Sequence, residues 1–226
     1  MVFMLEKIEK YLPEGIPFPS TRLYAYIARF IPFTRDSYKY LAQKVAGEVS
    51  TGRILDVGTG PGYLPIEIAK LVQGVEVIGI DVSKDMVRIA RKNAQKLRLE
   101  ERITFEFMDA NKMLYENSYF DLVVSTGSFH HWKKPIKILN EIHRVLKDGR
   151  QAWIYDLRKD MPEEGMEKLK QMYGRFGGPI IYRWVSFHSA VTKEEFQNVL
   201  EKPENSFKVY DLRNPVPFAF EAVLFK

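Results

Sequence analysis

The chain contains no cysteine. That absence excludes disulfides, thiolate metal sites and a cysteine nucleophile before anything else is read. No metal site of any kind is expected. The chain also lacks an unbroken run of about 18 apolar residues, so no segment is expected to cross a membrane as a helix. The apolar start Met1-Val-Phe-Met-Leu5 is cut short by Glu6, Lys7 and Glu9, too early for a secretory signal. Internal repeats and low-complexity tracts are missing too. What is present is 226 residues, 46% of them hydrophobic, enough to bury one good core in a single domain. Absent cysteine together with abundant Lys and Glu is the composition of a thermophile-like, cytoplasmic protein. A net charge of +5 permits an anionic partner without requiring one.

One stretch organises the rest: Arg53-Ile-Leu-Asp-Val-Gly-Thr-Gly-Pro-Gly-Tyr-Leu-Pro-Ile-Glu-Ile-Ala-Lys70. Residues 53–57 read as a buried strand and 63–71 as a helix, with Gly58, Gly60 and Gly62 making a tight turn between them. Free N–H groups at the helix start then face whatever lies on that turn. A dinucleotide fingerprint runs G-x-G-x-x-G, whereas here the third glycine comes one position early. Asp56 at the end of the strand would repel a pyrophosphate and suits a cationic group, such as an amine or a sulfonium-bearing amino acid. A second apolar strand, 75–80, ends in Asp81, where ribose hydroxyls are bound in such sheets. Asp109, after a third strand, is placed to accept from an adenine amino group.

Asp56-Val-Gly-Thr-Gly-Pro-Gly62, Ile80-Asp-Val-Ser83, Phe107-Met-Asp-Ala110 and Phe120-Asp-Leu-Val-Val-Ser125 are followed by His143-Arg-Val-Leu-Lys-Asp-Gly149. In order and spacing they resemble the motifs of class I S-adenosylmethionine-dependent methyltransferases, of the type 11, ubiquinone/menaquinone-methyltransferase-like group. The resemblance covers residues 50–157. It implies an α/β fold: one Rossmann-like seven-stranded sheet, mostly parallel with an antiparallel last strand, and helices on both faces. It also implies S-adenosyl-L-methionine as cofactor and S-adenosyl-L-homocysteine as product.

The expected layout has four parts. Residues 1–49 form an N-terminal helical cap or lid, with helices over 4–11, 21–31 and 36–49 separated by prolines. Residues 50–157 form the cofactor-binding core in βα rhythm. Ser83 caps a helix over 84–97, strands cover 103–108 and 120–125, a helix over 135–146 is ended by Gly149, and strand five covers 151–156. Residues 158–188 form a cap insertion after strand five, with a helix over 163–173 and then a bulky loop over 175–184. Residues 189–226 supply a helix opened by the capping box Thr192-Lys-Glu-Glu195 and a closing strand pair, 206–212 and 218–225.

The resemblance carries roles onto particular residues. Asp56 partners the cofactor's ammonium group, directly or through water, while Gly58, Thr59, Gly60 and Gly62 offer backbone. Asp81 takes the ribose hydroxyls, with Val82 and Met86 against the adenine. Asp109 and Ala110 frame the adenine edge, although Asp109 equally suits loop capping. Ser125-Thr-Gly-Ser-Phe-His-His-Trp132 falls beside the methyl-bearing sulfur, so Ser125 is a cofactor and catalytic candidate. His130 and His131 are candidate bases, or else hold the loop. Tyr38, Tyr182, Trp184 and His188 are expected to line an acceptor pocket.

Two acceptor classes stay open. One is a small metabolite methylated on N, O or C. The other is a flipped-out base of structured RNA, favoured by basic–aromatic segments such as Arg175 to Trp184. The Asn-Pro-Pro-Tyr type of motif common in enzymes that methylate base amines is replaced here by Ser125-Thr-Gly-Ser128. A third reading, a non-catalytic cofactor-binding partner subunit, sits poorly with Asp81, which such subunits often lack. Nothing in the sequence fixes the oligomeric state.

Overall fold

The computed structural model describes residues 32–226 apart from Ser189. The helices expected over 4–11 and 21–31 lie outside the described residues. Helix α1 (Pro32–Glu48) leads into β1 (Thr51–Val57), α2 (Tyr63–Leu71), β2 (Gly74–Asp81), α3 (Lys84–Gln95) and β3 (Ile103–Phe107). β4 (Phe120–Thr126) follows, then a single 3-10 turn at Phe129–His131, α4 (Pro135–Val145) and β5 (Leu146–Leu157). The insertion contributes α5 (Glu163–Tyr173) and α6 (Gly177–His188), and α7 (Lys193–Leu200), β6 (Val209–Val216) and β7 (Ala219–Phe225) close the chain.

The seven strands lie in the order β3-β2-β1-β4-β5-β7-β6. Pairing is parallel throughout the first five, and β7 runs antiparallel to both its neighbours. β2 and β3 extend the sheet on one side of β1, while β4 and β5 extend it on the other. That reversal opens a crevice at the carboxyl ends of β1 and β4, where open α/β sheets bind ligands. Alternation along the strands divides the core into two layers. Ile54, Val77, Leu122 and Trp153 pack against α1, α2 and α3 on one face. Leu55, Ile78, Val123 and Ile154 pack against α4 and α7 on the other.

Helix α1 is docked by polar contacts as well as apolar ones. Lys44 Nζ reaches the fully buried Glu221 at 2.6 Å and lies over the Trp153 ring. Ser37 Oγ lies 3.3 Å from the Tyr155 hydroxyl. These contacts fix the helix that presents Tyr38.

Three expectations are corrected. Residues 175–184 are not a loop: most of the stretch belongs to α6, whose first turn holds Gly177, Gly178 and Pro179. Proline is tolerated there because its missing N–H has no intrahelical partner in any case. Gly149 does not end the preceding helix, which stops at Val145 and passes directly into β5. Its positive φ of 71° makes a bend inside that strand instead. The last strand pair is shifted, with β6 beginning at Val209 rather than 206.

Candidate active site

A cavity with about 920 Å³ of space, partly open to solvent, lies at the carboxyl ends of β1, β2 and β4. The glycine turn forms its floor. Gly58 and Thr59 N–H groups both donate to the Ile80 carbonyl, closing the turn onto β2. Gly60 adopts φ 53°, and a Cβ built there meets nothing within 4 Å, so it would project into open space. Its N–H donates to Asp81 Oδ2 at 2.8 Å, while Ser83 N–H donates to Oδ1 at 2.8 Å. Asp81 thus ties the turn to the start of α3, where Ser83 Oγ caps Met86 N–H as expected.

Of the residues singled out in the sequence, Asp56, Gly58, Thr59, Gly60, Asp81 and Val82 line this cavity. So do Met86, Asp109, Ala110, His131 and Tyr38. Asp109 caps its loop, Oδ1 accepting from the Asn111 backbone and side chain, and the residue also lines the cavity. The loop bearing it is braced from α4. Glu141 accepts Met113 N–H, and Arg144 donates to the Met113 and Tyr115 carbonyls.

Four residues fall elsewhere. Ser125 is buried below the floor, where its hydroxyl donates to the Val57 carbonyl and ties β4 to β1. Thr126 and Ser128 reach the cavity in its place. Gly62 packs rather than binds: at φ 78°, an added Cβ would lie 2.6 Å from Phe105 Cζ. Gly62→Ala is therefore expected to cost about 2–3 kcal/mol through overpacking and strain, read as a fall in Tm. An unchanged Tm would contradict this packing role. Tyr182 is buried with its hydroxyl donating to the Arg158 carbonyl, away from the cavity. Trp184 and His188 lie on α6, and their side chains are outside the described residues.

His130 is the fourth. Its backbone N–H and its Nδ1 both face the fully buried Asp156, at 3.1 and 3.0 Å. A carboxylate has no proton to give, so Nδ1 carries one, and Nε2 is buried without a partner. Asp156, missed in the sequence, lies on the same face of β5 as Ala152 and Ile154 and pins the 3-10 turn that carries His131. The His131 ring packs 4.0 Å from that of His130, centre to centre, and forms part of the cavity wall. Trp132 beside it donates through Nε1 to Ser128 Oγ at 3.0 Å.

The electrostatics of the cavity are acidic. Burial pushes the Asp56 carboxyl up to about 7, and nearby Asp81 pushes the same way. Burial also raises Asp81, against its two backbone hydrogen bonds. Burial lowers His131 to about 4, helped by His130, so its ring is neutral at ordinary pH. Three carboxylates and an apolar wall suit a ligand with cationic, hydroxyl and flat apolar parts. Thr126 Oγ1 is a further buried polar atom left without a protein partner at the wall. Among the described residues no group of His, Cys, Asp or Glu is arranged to hold a metal, and no helix is long and apolar enough to cross a membrane.

Comparison with known proteins matches this geometry. A family model described as a methyltransferase domain matches residues 48–204. A ubiquinone/menaquinone biosynthesis C-methyltransferase from Geobacter sp. is 33% identical over 120 residues, covering 53% of this chain and 51% of that protein. The 27-O-demethylrifamycin SV methyltransferase of Amycolatopsis mediterranei is 27% identical over 167 residues, covering 72% and 58%. The chain thus spans only a little over half the length of these curated relatives. A solved S-adenosyl-L-methionine-dependent methyltransferase from Methanococcus maripaludis superimposes with TM-score 0.71 at 25% identity, covering 95% and 97%.

Proposed function

On the premise that the chain belongs to the methyltransferase domain family, whose model spans residues 48–204, we propose that it methylates a small organic acceptor from S-adenosyl-L-methionine. The observation that carries this reading is the acidic cavity at the β1–β4 switch point, with Asp56, Asp81 and Asp109 on its wall. When bound, the cofactor supplies an electrophilic methyl group on a sulfonium. The chain supplies alignment, exclusion of water and a proton acceptor.

Asp81 accepts the ribose hydroxyls, and Val82 and Met86 cover the adenine. Asp109 and Ala110 frame its amino edge. Asp56, in ionised form, pairs with the ammonium group, and Gly60 leaves room for the ligand against the turn. Thr126, Gly127 and Ser128 face the transfer end together with His131. His131, neutral above about pH 4, takes the acceptor's proton. His130 and Asp156 position it by fixing the 3-10 turn. Tyr38 from α1 closes the wall beside Tyr63, at a ring separation of 5.9 Å.

The acceptor is a metabolite carrying a nucleophilic carbon or oxygen. The relatives' names refer to quinone biosynthesis and to a rifamycin. Cavity carboxylates also repel a polyanion, so the RNA-base reading draws no support from the site. Purified protein with methyl-labelled cofactor, offered a metabolite extract and RNA in parallel, tests this directly. Label is expected in the metabolite fraction. Label on nuclease-sensitive RNA would overturn the acceptor class, and label in neither would sink the assignment.

Asp56 makes cofactor affinity depend on pH. Its raised pKa means the empty fold loses stability as pH rises from the ordinary carboxylate value of 3.8 through about 7. A cationic ligand binds the ionised form, so its affinity moves the opposite way. Between pH 7.5 and 5.5 the dissociation constant for S-adenosylmethionine is expected to rise about 20-fold. Asp56→Asn should flatten that profile in calorimetry. A wild-type affinity independent of pH would refute the pairing.

A further inference from the structure

The α5–α6 hairpin leaves the carboxyl end of β5 and is held by its inner side. Leu169 is fully buried, the Tyr182 hydroxyl donates to the Arg158 carbonyl, and the Tyr173 hydroxyl donates to Asp36 at 3.1 Å. Its outer side is different. Met172 is 53% exposed, Phe176 72% and Ile180 66%, spaced four residues apart from the last turn of α5 to the first turn of α6. Phe176 sits at the apex, after Gly174, whose φ of 87° turns the chain. Side chains of this size exposed together at one tip contribute nothing to the fold's own core.

Charge marks out the same tip. From Lys168 to Arg183 the sequence contains no Asp or Glu, yet it carries Lys168, Lys170, Arg175 and Arg183, of which Lys170 pairs with Glu167. Lys168, Arg175 and Arg183 are exposed, and the Arg175 guanidinium lies 5.8 Å from the Phe176 ring centre. An apolar tip rimmed by cations complements a bilayer with anionic headgroups: the tip enters the headgroup boundary and the cations remain at phosphate level. Nucleic acid would also attract the cations, but Met172 and Ile180 offer its bases no stacking face.

We propose that the outer tip of the α5–α6 hairpin, Met172, Phe176 and Ile180 with their rim of Arg and Lys, docks this protein on an anionic lipid bilayer. Docking brings the cavity close to the headgroup layer, because Tyr173 holds Asp36, two residues from the cavity residue Tyr38. An acceptor that partitions into lipid then reaches the site from the membrane. That consequence rests on the small-molecule reading, whereas the docking itself does not.

The test is co-sedimentation of the full chain with phosphatidylcholine vesicles, with or without phosphatidylglycerol. An RNA mobility-shift assay and calorimetry with S-adenosylmethionine run alongside. The protein is expected to pellet only with the anionic vesicles. Phe176→Glu combined with Ile180→Glu should reduce that binding about tenfold or more. Arg175→Gln combined with Arg183→Gln should also weaken it, and both variants should keep wild-type cofactor affinity, which shows that they fold. No binding of wild type to anionic vesicles overturns the proposal. So does vesicle binding that the Phe176/Ile180 variant retains in full, or a shift of RNA without vesicle binding. Cofactor affinity reports on the proposed function separately from every vesicle outcome.

Discussion

Asp81→Ala is expected to weaken S-adenosylmethionine binding about 100-fold. The carboxylate now accepts Gly60 N–H at one oxygen and Ser83 N–H at the other, each at 2.8 Å. It therefore sets the shape of the glycine turn and the start of α3 while presenting its charge to the cavity. Truncation removes the acceptor for the ribose hydroxyls and leaves two inward N–H groups without their partner. Hydrogen bonds to a charged group contribute about 1.5–3 kcal/mol each, so losing one or two of them amounts to about two orders of magnitude in affinity. Asp81→Asn keeps one acceptor oxygen but loses the charge and turns an NH2 donor toward the other backbone N–H, and should fall between the two. Calorimetry decides, and equal affinity in wild type and the alanine variant would show that the ligand sits elsewhere.

The second large effect is on turnover. His131→Ala should lower kcat about 100-fold while changing cofactor affinity little, because positioned proton transfer contributes roughly that much. With its pKa near 4, the His131 ring is a neutral acceptor across the working range. The wild-type rate should therefore show no inflection from this group between about pH 5.5 and 8. Asp156→Asn provides the complementary test. Asp156 accepts the His130 backbone N–H and faces its Nδ1, so the amide loosens the turn under His131 and should reduce kcat without altering cofactor affinity. Equal losses of kcat and cofactor affinity in His131→Ala would mean that it only shapes the cofactor site.

Much of this site was legible in the sequence because it is built from local chemistry. The tight glycine turn, the carboxylates ending two strands, and the Ser83 and Thr192 caps each follow from a few adjacent residues. The capping box of α7 has both of its hydrogen bonds. What escaped depends on direction and tertiary context. Ser125 and Thr126 are neighbours on one strand, and period-two alternation sends Ser125 beneath the floor and Thr126 to the wall. Asp156 reads simply as the end of a strand, and its partner His130 comes from a segment 26 residues earlier. In α6 the Gly-Gly-Pro run looked like a loop, because glycine and proline break helix interiors but are accommodated in a first turn. Tyr182 shares that helix with the acceptor-pocket candidates, yet packing turns it inward to Arg158.

A crystal structure of the protein with S-adenosylhomocysteine tests the central claim most directly. The account predicts the ribose hydroxyls on the Asp81 carboxylate, the adenine edge at Asp109 and Ala110, the amino group by Asp56, and the sulfur facing His131. Product bound outside this cavity, or bound in it with the ribose out of reach of Asp81, would contradict it.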